Sequence, residues 1–413
     1  MKKNIKDIEL KNRTCLVRCD FNVHMEQGEI EDGSRIDAAL PTIEYMINHD
    51  AKVVLMSHMG RPEGQANPEY SLAPVAEYLS KALNKDVLFP QSDMVVDDSV
   101  REAVKTLKVG DVALLENTRF RPEETKNDAV FSKELAELGD IFVNDAFGTA
   151  HRAHCSTAGI ADYIPAVSGF LIEKELKFLG DAINNPRRPF VAIMGGSKVS
   201  DKILVIESLL DKVDTLLIGG GMTFTFFKAK GYEIGSSILD EKGVEVAGML
   251  MKKAADKGVS LILPVDTVCA REFANDSERA TVDSDKMPKD MMGMDIGPKT
   301  RKIFEDEIRK AKAVIWNGPM GVFEMSNFAE GTELIGRTLA DLKDVTTVIG
   351  GGDSAAAIRK LGLEDKMTHV STGGGASLEF LGGKELRRCM RIKITKKNIF
   401  RICDGADNEI LKI

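Results

Sequence analysis

The sequence predicts an α/β protein made of two doubly wound domains with parallel sheets. Short runs rich in aliphatic and β-branched residues alternate with amphipathic, helix-like segments almost throughout the chain. These runs carry apolar residues at successive positions, which is typical of strands covered on both faces by helices. The chain has 413 residues, which is more than one ordinary hydrophobic core accommodates.

In the first half, four segments are predicted to contain strands: TCLVRCDFNV, AKVVLMSHMG, VALLEN and DIFVNDAF. Two segments between them, AALPTIEYMINHD and SLAPVAEYLSKALN, have apolar residues at helical spacing. A strand followed by a helix and another strand is the unit from which parallel sheets are built.

The middle of the chain contains a predicted connecting helix, IEKELKFLGDAINN, over residues 172–185, and the following PRRP ends it. The alternation then resumes with PFVAIMGG, TLLIGGG, LILPVD, AVIWNGP, TTVIGGG and MTHVSTGGG. We therefore expect a first domain over 1–171, the connecting helix over 172–185 and a second domain over 186–370.

Composition restricts the possible functions. The formal charge of −8 and the pI of about 5.5 argue against a nucleic-acid partner, because proteins that bind nucleic acids usually have a basic surface. No apolar run reaches the roughly 20 residues of a membrane-spanning helix, and the polar MKKNIKDIELKNRT does not resemble a signal peptide. None of the six cysteines forms a CxxC pair, so we expect reduced thiols in a cytoplasmic protein without a membrane partner.

The predicted strands of the first half end in charged and imidazole side chains. Ligands of doubly wound sheets bind at the carboxyl ends of the strands, so these residues are the candidates for binding. Arginine presents a rigid fork of donors that suits phosphate and carboxylate, so convergence of several arginines favours a small, strongly anionic substrate. The candidates are Arg18, Asp20, Asn22, Arg35, His58, Arg61, Arg119, Arg121, His151, Arg152 and His154.

The predicted strands of the second half end in glycine clusters instead. Glycine permits close approach of a ligand and positive φ, and a helix that follows directs backbone N–H groups at a phosphate. Four such clusters favour an extended nucleotide crevice. They comprise Gly195 and Gly196; Gly219, Gly220 and Gly221; Gly350, Gly351 and Gly352; and Gly373, Gly374 and Gly375. Lys198 and Lys202 are expected on one face of the helix after the first cluster, where they add positive charge.

A search for standard nucleotide-binding motifs leaves one alternative function, an NAD-dependent oxidoreductase. The P-loop pattern GxxxxGK[ST] is absent from the sequence. GGGDSA, which begins at Gly350, matches the dinucleotide pattern GxGxxA and is the support for an NAD-dependent oxidoreductase. The match lies late in the chain, and no acidic residue ends the following strand at HVST, so we interpret it as coincidence.

The segments together resemble the phosphoglycerate kinase family. RCDFN, SHMGRP, ENTRF, DAFGTAHRAH, GGSKVSDK, IGGGM, WNGPMGVFE, GGGDSAA and HVSTGGGASLE occur in the family's order and spacing, from the N-terminus to about Leu386. The resemblance implies two Rossmann-like domains that are joined by a helix and close on their substrates like a hinge. The expected hinges are the helix after Ile172 and the pair Ser371 and Thr372, within a hinge and return segment over 371–386.

The resemblance also implies roles for individual residues. The residues implied to bind 3-phosphoglycerate or 1,3-bisphosphoglycerate are Asp20, Asn22, Arg35, His58, Arg61, Arg119 and Arg152. Those implied around Mg²⁺–ATP or Mg²⁺–ADP are Gly196, Lys198, Lys202, Gly219, Gly220, Asn317, Pro319, Glu324, Gly350, Gly351, Gly352, Asp353 and Ser354. Glu324 is expected at the ribose and Asp353 at the magnesium ion, in an enzyme expected to act as a monomer.

The implied reaction needs no general base, because its acceptor is a carboxylate that is already ionised at neutral pH. Catalysis then depends on positioning and on neutralising the transferred phosphoryl group. We expect this charge stabilisation from Arg35, Lys198 and the N–H groups of Gly373, Gly374 and Gly375. Among the other histidines, His151 and His154 are expected near the site, whereas His24, His49 and His369 are expected at the surface or in structural roles.

The sequence departs from the family pattern in its last 27 residues, 387–413, which read RRCMRIKITKKNIFRICDGADNEILKI. We interpret this atypical tail as a shifted reading frame or appended sequence; a basic arm for an acidic partner or membrane surface and a solvated tail are the alternatives. A protein that binds both ligands but cannot close because of its tail is therefore a further functional hypothesis.

Overall fold

The computed structural model describes residues 4–26 and 28–383, and it confirms the predicted α/β class with two parallel-sheet units. The first compact unit ends at Lys174 and the second begins at Glu175. The predicted tail, 387–413, lies outside the described residues.

The first unit contains eight strands and five helices among its described residues. The strands are β1 (Thr14–Arg18), β2 (Met25–Glu26), β3 (Glu29–Ile30), β4 (Lys52–Met56), β5 (Val87–Leu88), β6 (Val112–Leu114), β7 (Ile141–Asn144) and β8 (Ala166–Ser168). The helices are α1 (Ser34–Asp37), α2 (Leu40–Asn48), α3 (Ala73–Leu83), α4 (Asp98–Lys105) and α5 (Ala129–Ala136). Helix α6 (Phe170–Asn184) contains the point at which the two units divide.

The second unit adds nine strands and seven helices over its described part. The strands are β9 (Phe190–Met194), β10 (Thr215–Ile218), β11 (Ser260–Ile262), β12 (Asp266–Ala270), β13 (Arg279–Asp283), β14 (Met292–Ile296), β15 (Ala313–Asn317), β16 (Thr346–Gly350) and β17 (His369–Val370). The helices are α7 (Ile203–Leu210), α8 (Met222–Ala229), α9 (Val244–Asp256), α10 (Pro298–Lys310), α11 (Glu330–Asp341), α12 (Gly352–Lys360) and α13 (Gly375–Leu381).

Each unit is built around a six-stranded parallel sheet. The order is β5-β6-β4-β1-β7-β8 in the first unit and β11-β10-β9-β15-β16-β17 in the second. In both sheets the chain moves outward from a central strand and then returns to its other side. These switch points lie between β1 and β7 and between β9 and β15, and doubly wound sheets bind ligands at such places.

The sheet of the first unit buries both of its faces, as its apolar runs predict. Along β1, Cys15 and Val17 belong to one hydrophobic cluster while Leu16 belongs to the other, because successive side chains of a strand point to opposite faces. Each of these side chains is completely buried, and burial of a large aliphatic side chain stabilises a fold by roughly 1.5–3 kcal/mol. The strand ends are thereby held rigidly in place.

A three-stranded antiparallel sheet, ordered β13-β12-β14, stands beside the parallel sheet of the second unit and was missing from the sequence interpretation. Its strands are five residues long, and β13 and the start of β14 are partly exposed, so their apolar pattern is weaker than that of the buried strands. None of the described helices is both long and apolar enough to cross a membrane.

Candidate active site

Most predicted anion-binding residues of the first unit lie at the carboxyl ends of four neighbouring parallel strands, β6, β4, β1 and β7, and Arg35 of α1 contacts one of them, Asp20. Arg18 at the end of β1 is in register with Met56 of β4 and with Asn144 of β7, so the loops that follow start side by side. We name the set of seven predicted substrate residues the basic edge: Asp20, Asn22, Arg35, His58, Arg61, Arg119 and Arg152.

Hydrogen bonds connect members of the basic edge that come from different loops. Arg35 Nη1 donates to Asp20 Oδ2 over 3.2 Å. Asn22 Oδ1 accepts the Gly60 N–H over 2.8 Å, and Arg119 Nη1 donates to the Gly60 carbonyl over 2.7 Å. The loops after β1, β4 and β6 are therefore fixed against one another.

Three arginines of the basic edge, Arg61, Arg119 and Arg152, line one cleft of about 600 Å³. Burial, followed by the nearby charges of Arg152 and Arg18, lowers the pKa of Arg119 to about 10. Like charges held together at a concave surface attract an anion. Arg121 also lines the cleft, but it forms ion pairs with Glu123 and Glu134, so part of its charge is compensated.

Burial and surrounding arginines keep His58 and His154 neutral. Burial, followed by the charges of Arg18 and Arg119, lowers the pKa of His58 well below its usual value. The same causes lower the pKa of His154 to about 4. Neither imidazole carries a positive charge at neutral pH, so the positive potential of the cleft comes from the arginines.

His151 Nε2 accepts a hydrogen bond from Arg152 Nε of the basic edge over 3.1 Å. The remaining three histidines, His24, His49 and His369, have surface or structural positions. His24 is exposed and near Glu31, and His49 is exposed and stacks on Tyr45. His369 is buried instead, and its Nε2 lies 2.8 Å from Glu175 Oε2, which agrees with the predicted structural role.

At the switch point of the second sheet, backbone segments approach more closely than side chains would allow. A Cβ atom on Gly195 would lie 2.0 Å from the Pro319 carbonyl, and one on Gly220 would lie 2.6 Å from the Gly196 nitrogen. The two positions therefore require glycine, and the loops after β9, β10 and β15 pack backbone to backbone. The result is a shallow floor formed by main-chain groups.

The prediction that Lys198 and Lys202 lie in a helix is wrong, because α7 begins only at Ile203. Gly196 has φ of 106°, and the Ser200 N–H donates to Asp240 Oδ2, so the segment between them follows a turn. Lys198 is exposed in that turn, whereas Lys202 is half-buried at the helix N-cap.

Lys202 and Asn317 bring the ends of β9 and β15 together. Lys202 Nζ donates to the Gly195 carbonyl over 2.5 Å and to Asn317 Oδ1 over 2.8 Å. Burial lowers the pKa of Lys202 to about 8, although the nearby Asp353 acts in the opposite direction. The buried Asn317 Nδ2 has no acceptor among the residues that the structure describes, so a donor remains available beside the glycine floor.

A cavity of about 540 Å³ opens above this floor. Five of the predicted nucleotide residues line it: Gly196, Gly220, Pro319, Glu324 and Asp353. Most of its apolar wall was not predicted from the sequence; it includes Phe224, Ile238, Phe273, Met292, Met294 and Val322. Phe273 is 63% exposed and Ile238 is 49% exposed at the rim, and no motif marks either residue.

The last two glycine clusters precede helices, as predicted. Gly351 has φ of 90° and is the N-cap of α12, and Ser354 in the first turn of that helix accepts the Gly318 N–H over 2.6 Å. Gly374 is the N-cap of α13. The Gly373 N–H donates to Ser371 Oγ over 3.1 Å, whereas those of Gly374 and Gly375 meet no acceptor within the described chain. The contact of these three N–H groups with a phosphoryl group stays a prediction; in this structure the Gly373 N–H is already hydrogen-bonded.

The carboxylates of the site fit a metal ion that arrives with phosphate oxygens. No group of three or more histidine, cysteine or acidic side chains within residues 4–26 and 28–383 could hold a metal by itself. Asp353 lies exposed in the first turn of α12, at the edge of the cavity. Mg²⁺ is commonly held by one or two carboxylates together with substrate phosphates, and Asp353 satisfies the protein's part of that requirement.

Comparison with known proteins agrees with this geometry. A family model described as phosphoglycerate kinase matches residues 5–384. The chain is 59% identical to the phosphoglycerate kinase of Clostridium novyi over 93% of this chain and 97% of that protein. It is 58% identical to that of Clostridioides difficile over 93% of this chain and 96% of that protein.

Solved structures give the same result. The phosphoglycerate kinase of Coxiella burnetii matches with a TM-score of 0.84 and 42% identity, covering 95% of this chain and 98% of that chain. The enzyme of Pyrococcus horikoshii matches with a TM-score of 0.79 and 34% identity, covering 94% and 98% respectively.

Proposed function

The chain belongs to the phosphoglycerate kinase family, and we propose that its basic edge binds the phosphoglycerate while the cavity of the second unit binds the nucleotide. It is a phosphotransferase with a carboxyl group as acceptor. The oxidoreductase and the non-catalytic binding protein are not favoured, because the matched relatives are kinases over nearly their full length.

The observation that carries the assignment is the convergence of Arg61, Arg119 and Arg152 on one cleft. A small acid with a phosphate and a carboxylate has two anionic groups for such a cleft to bind. Arg35, which is only partly exposed and already linked to Asp20, supplies a further cation at the same edge.

The nucleotide is proposed to lie on the glycine floor with its base against the apolar wall. Phosphate oxygens would meet the N–H groups of α12 and the donors Lys202 and Asn317. Glu324, exposed at the cavity edge, is proposed to contact the ribose. Mg²⁺ would be held by Asp353 together with the phosphates and would neutralise part of their charge.

In the direction that consumes ATP, a carboxylate oxygen of 3-phosphoglycerate attacks the γ-phosphorus, and the bond from that phosphorus to the bridging oxygen of ADP breaks. The products are 1,3-bisphosphoglycerate and ADP, and the reverse reaction forms ATP. No proton is removed from the acceptor, which agrees with a site in which His58 and His154 are neutral and the charged groups are mainly cations.

Charge on the transferred phosphoryl group is proposed to be stabilised by Arg35, Lys198 and the free N–H groups of Gly374 and Gly375. Donors directed at a developing negative charge commonly contribute about 10²–10³ in rate. Since each substrate has its own unit, we further propose that the units close during the reaction, with hinges in α6 and at Ser371 and Thr372. We also propose a monomer in the cytoplasm.

The proposal is tested by steady-state ATP consumption by the complete 413-residue chain with Mg²⁺ and 3-phosphoglycerate. Turnover should depend on both the acid and the metal, and it should stop when either is omitted. A folded chain that consumes no ATP under these conditions, or consumes it equally without the acid, would contradict the proposed function.

A further inference from the structure

Behind the basic edge, four buried polar side chains form a continuous hydrogen-bonded series. Glu124 and Ser156 are 0% exposed, Arg18 is 1% exposed and His58 is 3% exposed. They come from four separate loops or strands of the first unit. Burial of the opposite charges of Glu124 and Arg18 is costly unless their donors and acceptors are satisfied. The hydrogen bonds of the series therefore show how each buried group is oriented.

The direction of the hydrogen bonds follows from the chemistry of each group. Glu124 Oε1 accepts from the Ser156 hydroxyl over 2.5 Å, and Glu124 Oε2 accepts the Ser156 N–H over 3.0 Å. Because the hydroxyl hydrogen is directed at the carboxylate, a lone pair of Ser156 Oγ faces Arg18 Nε and accepts its hydrogen over 2.9 Å. Glu124 thus orients Ser156, and Ser156 orients the guanidinium.

Arg18 then determines which nitrogen of His58 carries the proton. A guanidinium has donors and no acceptor, and Arg18 Nη2 lies 3.0 Å from His58 Nδ1. His58 Nδ1 must therefore accept, and the proton of the neutral ring resides on Nε2. Arg18 Nη1 donates to the Cys19 carbonyl and lies 3.4 Å from Ser57 Oγ, so a second nitrogen of the guanidinium also has partners.

The charged groups around His58 disfavour its protonated form. The cations that act on it are Arg18, Arg35, Arg119 and Arg152. The nearby anion is Asp20, whose Oδ1 lies 4.0 Å from His58 Nδ1. Asp20 also accepts a hydrogen bond from Arg35, so its charge is shared between the two side chains. His58 Nε2 makes no hydrogen bond to any residue in the described part of the chain, so its hydrogen is available to a ligand.

We propose that Glu124 and Ser156 are positioning residues which, through Arg18, hold His58 as the neutral Nε2–H tautomer that donates a hydrogen bond to an anionic oxygen of the phosphoglycerate. The inference rests on the proposed function for the identity of the ligand. The tautomer itself is a property of the free protein and does not depend on activity.

The first measurement is the protonation of His58 in the complete, ligand-free protein at pH 7, by long-range ¹H–¹⁵N correlation with ¹⁵N-labelled histidine. His58→Asn identifies the resonance by its loss. The expected pattern has a protonated Nε2 and an unprotonated Nδ1. A protonated Nδ1, or an imidazolium ring, would overturn the proposal whether or not the protein is an active kinase.

The second measurement compares Ser156→Ala and Glu124→Gln with Ser132→Ala. Ser132 is a matched control because it is 1% exposed and its hydroxyl donates to the Asp128 carbonyl, outside the series. Loss of orientation should raise KM for 3-phosphoglycerate roughly tenfold, as expected for one misaligned charged hydrogen bond, and leave KM for ATP unchanged.

The two positioning variants should also shift the His58 resonances toward a mixture of tautomers, whereas Ser132→Ala should retain the original pattern. A purely structural role would lower stability without altering the His58 tautomer. Unchanged His58 resonances and unchanged KM in both Ser156→Ala and Glu124→Gln would therefore refute the positioning role.

Discussion

Asp145 is completely buried just after β7, where its Oδ1 accepts N–H groups from Leu171 and Ile172 in the first turn of α6. Burial raises the pKa of this carboxyl from 3.8 to about 7, and the hydrogen bonds that it accepts only partly oppose that effect. The folded protein therefore retains a proton that the unfolded chain releases. The stabilisation is fully present below pH 3.8 and is lost as the pH rises through about 7.

Asp145→Asn should make stability less sensitive to pH, because the amide oxygen can still accept both N–H groups but the side chain never ionises. Between pH 5.5 and pH 8.5 the unsubstituted protein should lose about 2 kcal/mol through this group relative to the variant. Thermal unfolding of both proteins at the two pH values measures the difference. Parallel pH dependences would show that Asp145 does not titrate in this range.

Lys202 should make the proposed nucleotide binding by the second unit sensitive to pH. Because burial lowers its pKa to about 8, the side chain loses its positive charge as the pH rises through that value. The ammonium group lies against the Gly195 carbonyl and Asn317 Oδ1, beside the proposed phosphate positions.

KM for ATP should consequently rise by up to about tenfold between pH 7 and pH 9, if the charged form alone binds well. Lys202→Arg keeps the charge throughout this range and should show a flatter profile. Steady-state kinetics at saturating 3-phosphoglycerate compares the two proteins. Identical profiles would exclude Lys202 as the titrating group.

Among the secondary-structure elements, β9 and β15 are joined by close backbone contact at their carboxyl ends. Gly195 follows β9 with no room for a Cβ atom, since Pro319 and Gly318 carbonyl oxygens would lie 2.0 and 2.6 Å away. Gly352 begins α12 and is a useful contrast, because a Cβ there meets no atom within 4 Å.

Gly195→Ala should destabilise the protein by at least about 2 kcal/mol, because the backbone of the neighbouring loop must move. Gly352→Ala should unfold at or above the original temperature, since alanine is favoured over glycine in a helix. If Gly352 lies under the phosphates, that variant should still raise KM for ATP. Equal unfolding temperatures for the two variants would contradict the packing argument.

In the whole molecule, the two substrates are proposed to bind to separate compact units. Arg61 is exposed in the cleft of the first unit and Asp353 is exposed at the cavity of the second, so neither is required by a hydrophobic core. Substitution of either residue should leave folding intact and affect one substrate.

Arg61→Ala should raise KM for 3-phosphoglycerate by roughly 10-fold or more, as expected for a charged hydrogen bond, without changing KM for ATP. Asp353→Asn should instead raise the Mg²⁺ and ATP concentrations required for half-maximal rate. Steady-state kinetics in which both substrates are varied gives KM for 3-phosphoglycerate and KM for ATP in each variant. If Arg61→Ala changed KM for ATP alone, the proposal that the basic cleft binds 3-phosphoglycerate would be wrong.

Several features of this protein were predictable from the sequence because they depend on neighbouring residues. Apolar runs such as FVAIM and AVIWN form the buried strands β9 and β15, and the glycines that follow permit the turns needed there. Arginine-containing loops after the first-half strands likewise converge, since parallel strands end at one sheet edge. The fold class, the arginine-rich loops and the glycine clusters followed from such local patterns, whereas Asn317, Pro319, Glu324 and Asp353 were implied only by the family resemblance.

The tertiary structure decided which distant groups meet. Arg18 and Ser156 are 138 positions apart, and Lys202 and Asn317 are 115 apart, so neither pair has a local sequence signal. The start of α7 at Ile203 and the antiparallel sheet of β12, β13 and β14 also depended on packing against other segments. The physical reason is that backbone preference acts over a few residues, whereas burial, hydrogen-bond direction and pKa depend on everything that the folded chain brings into contact.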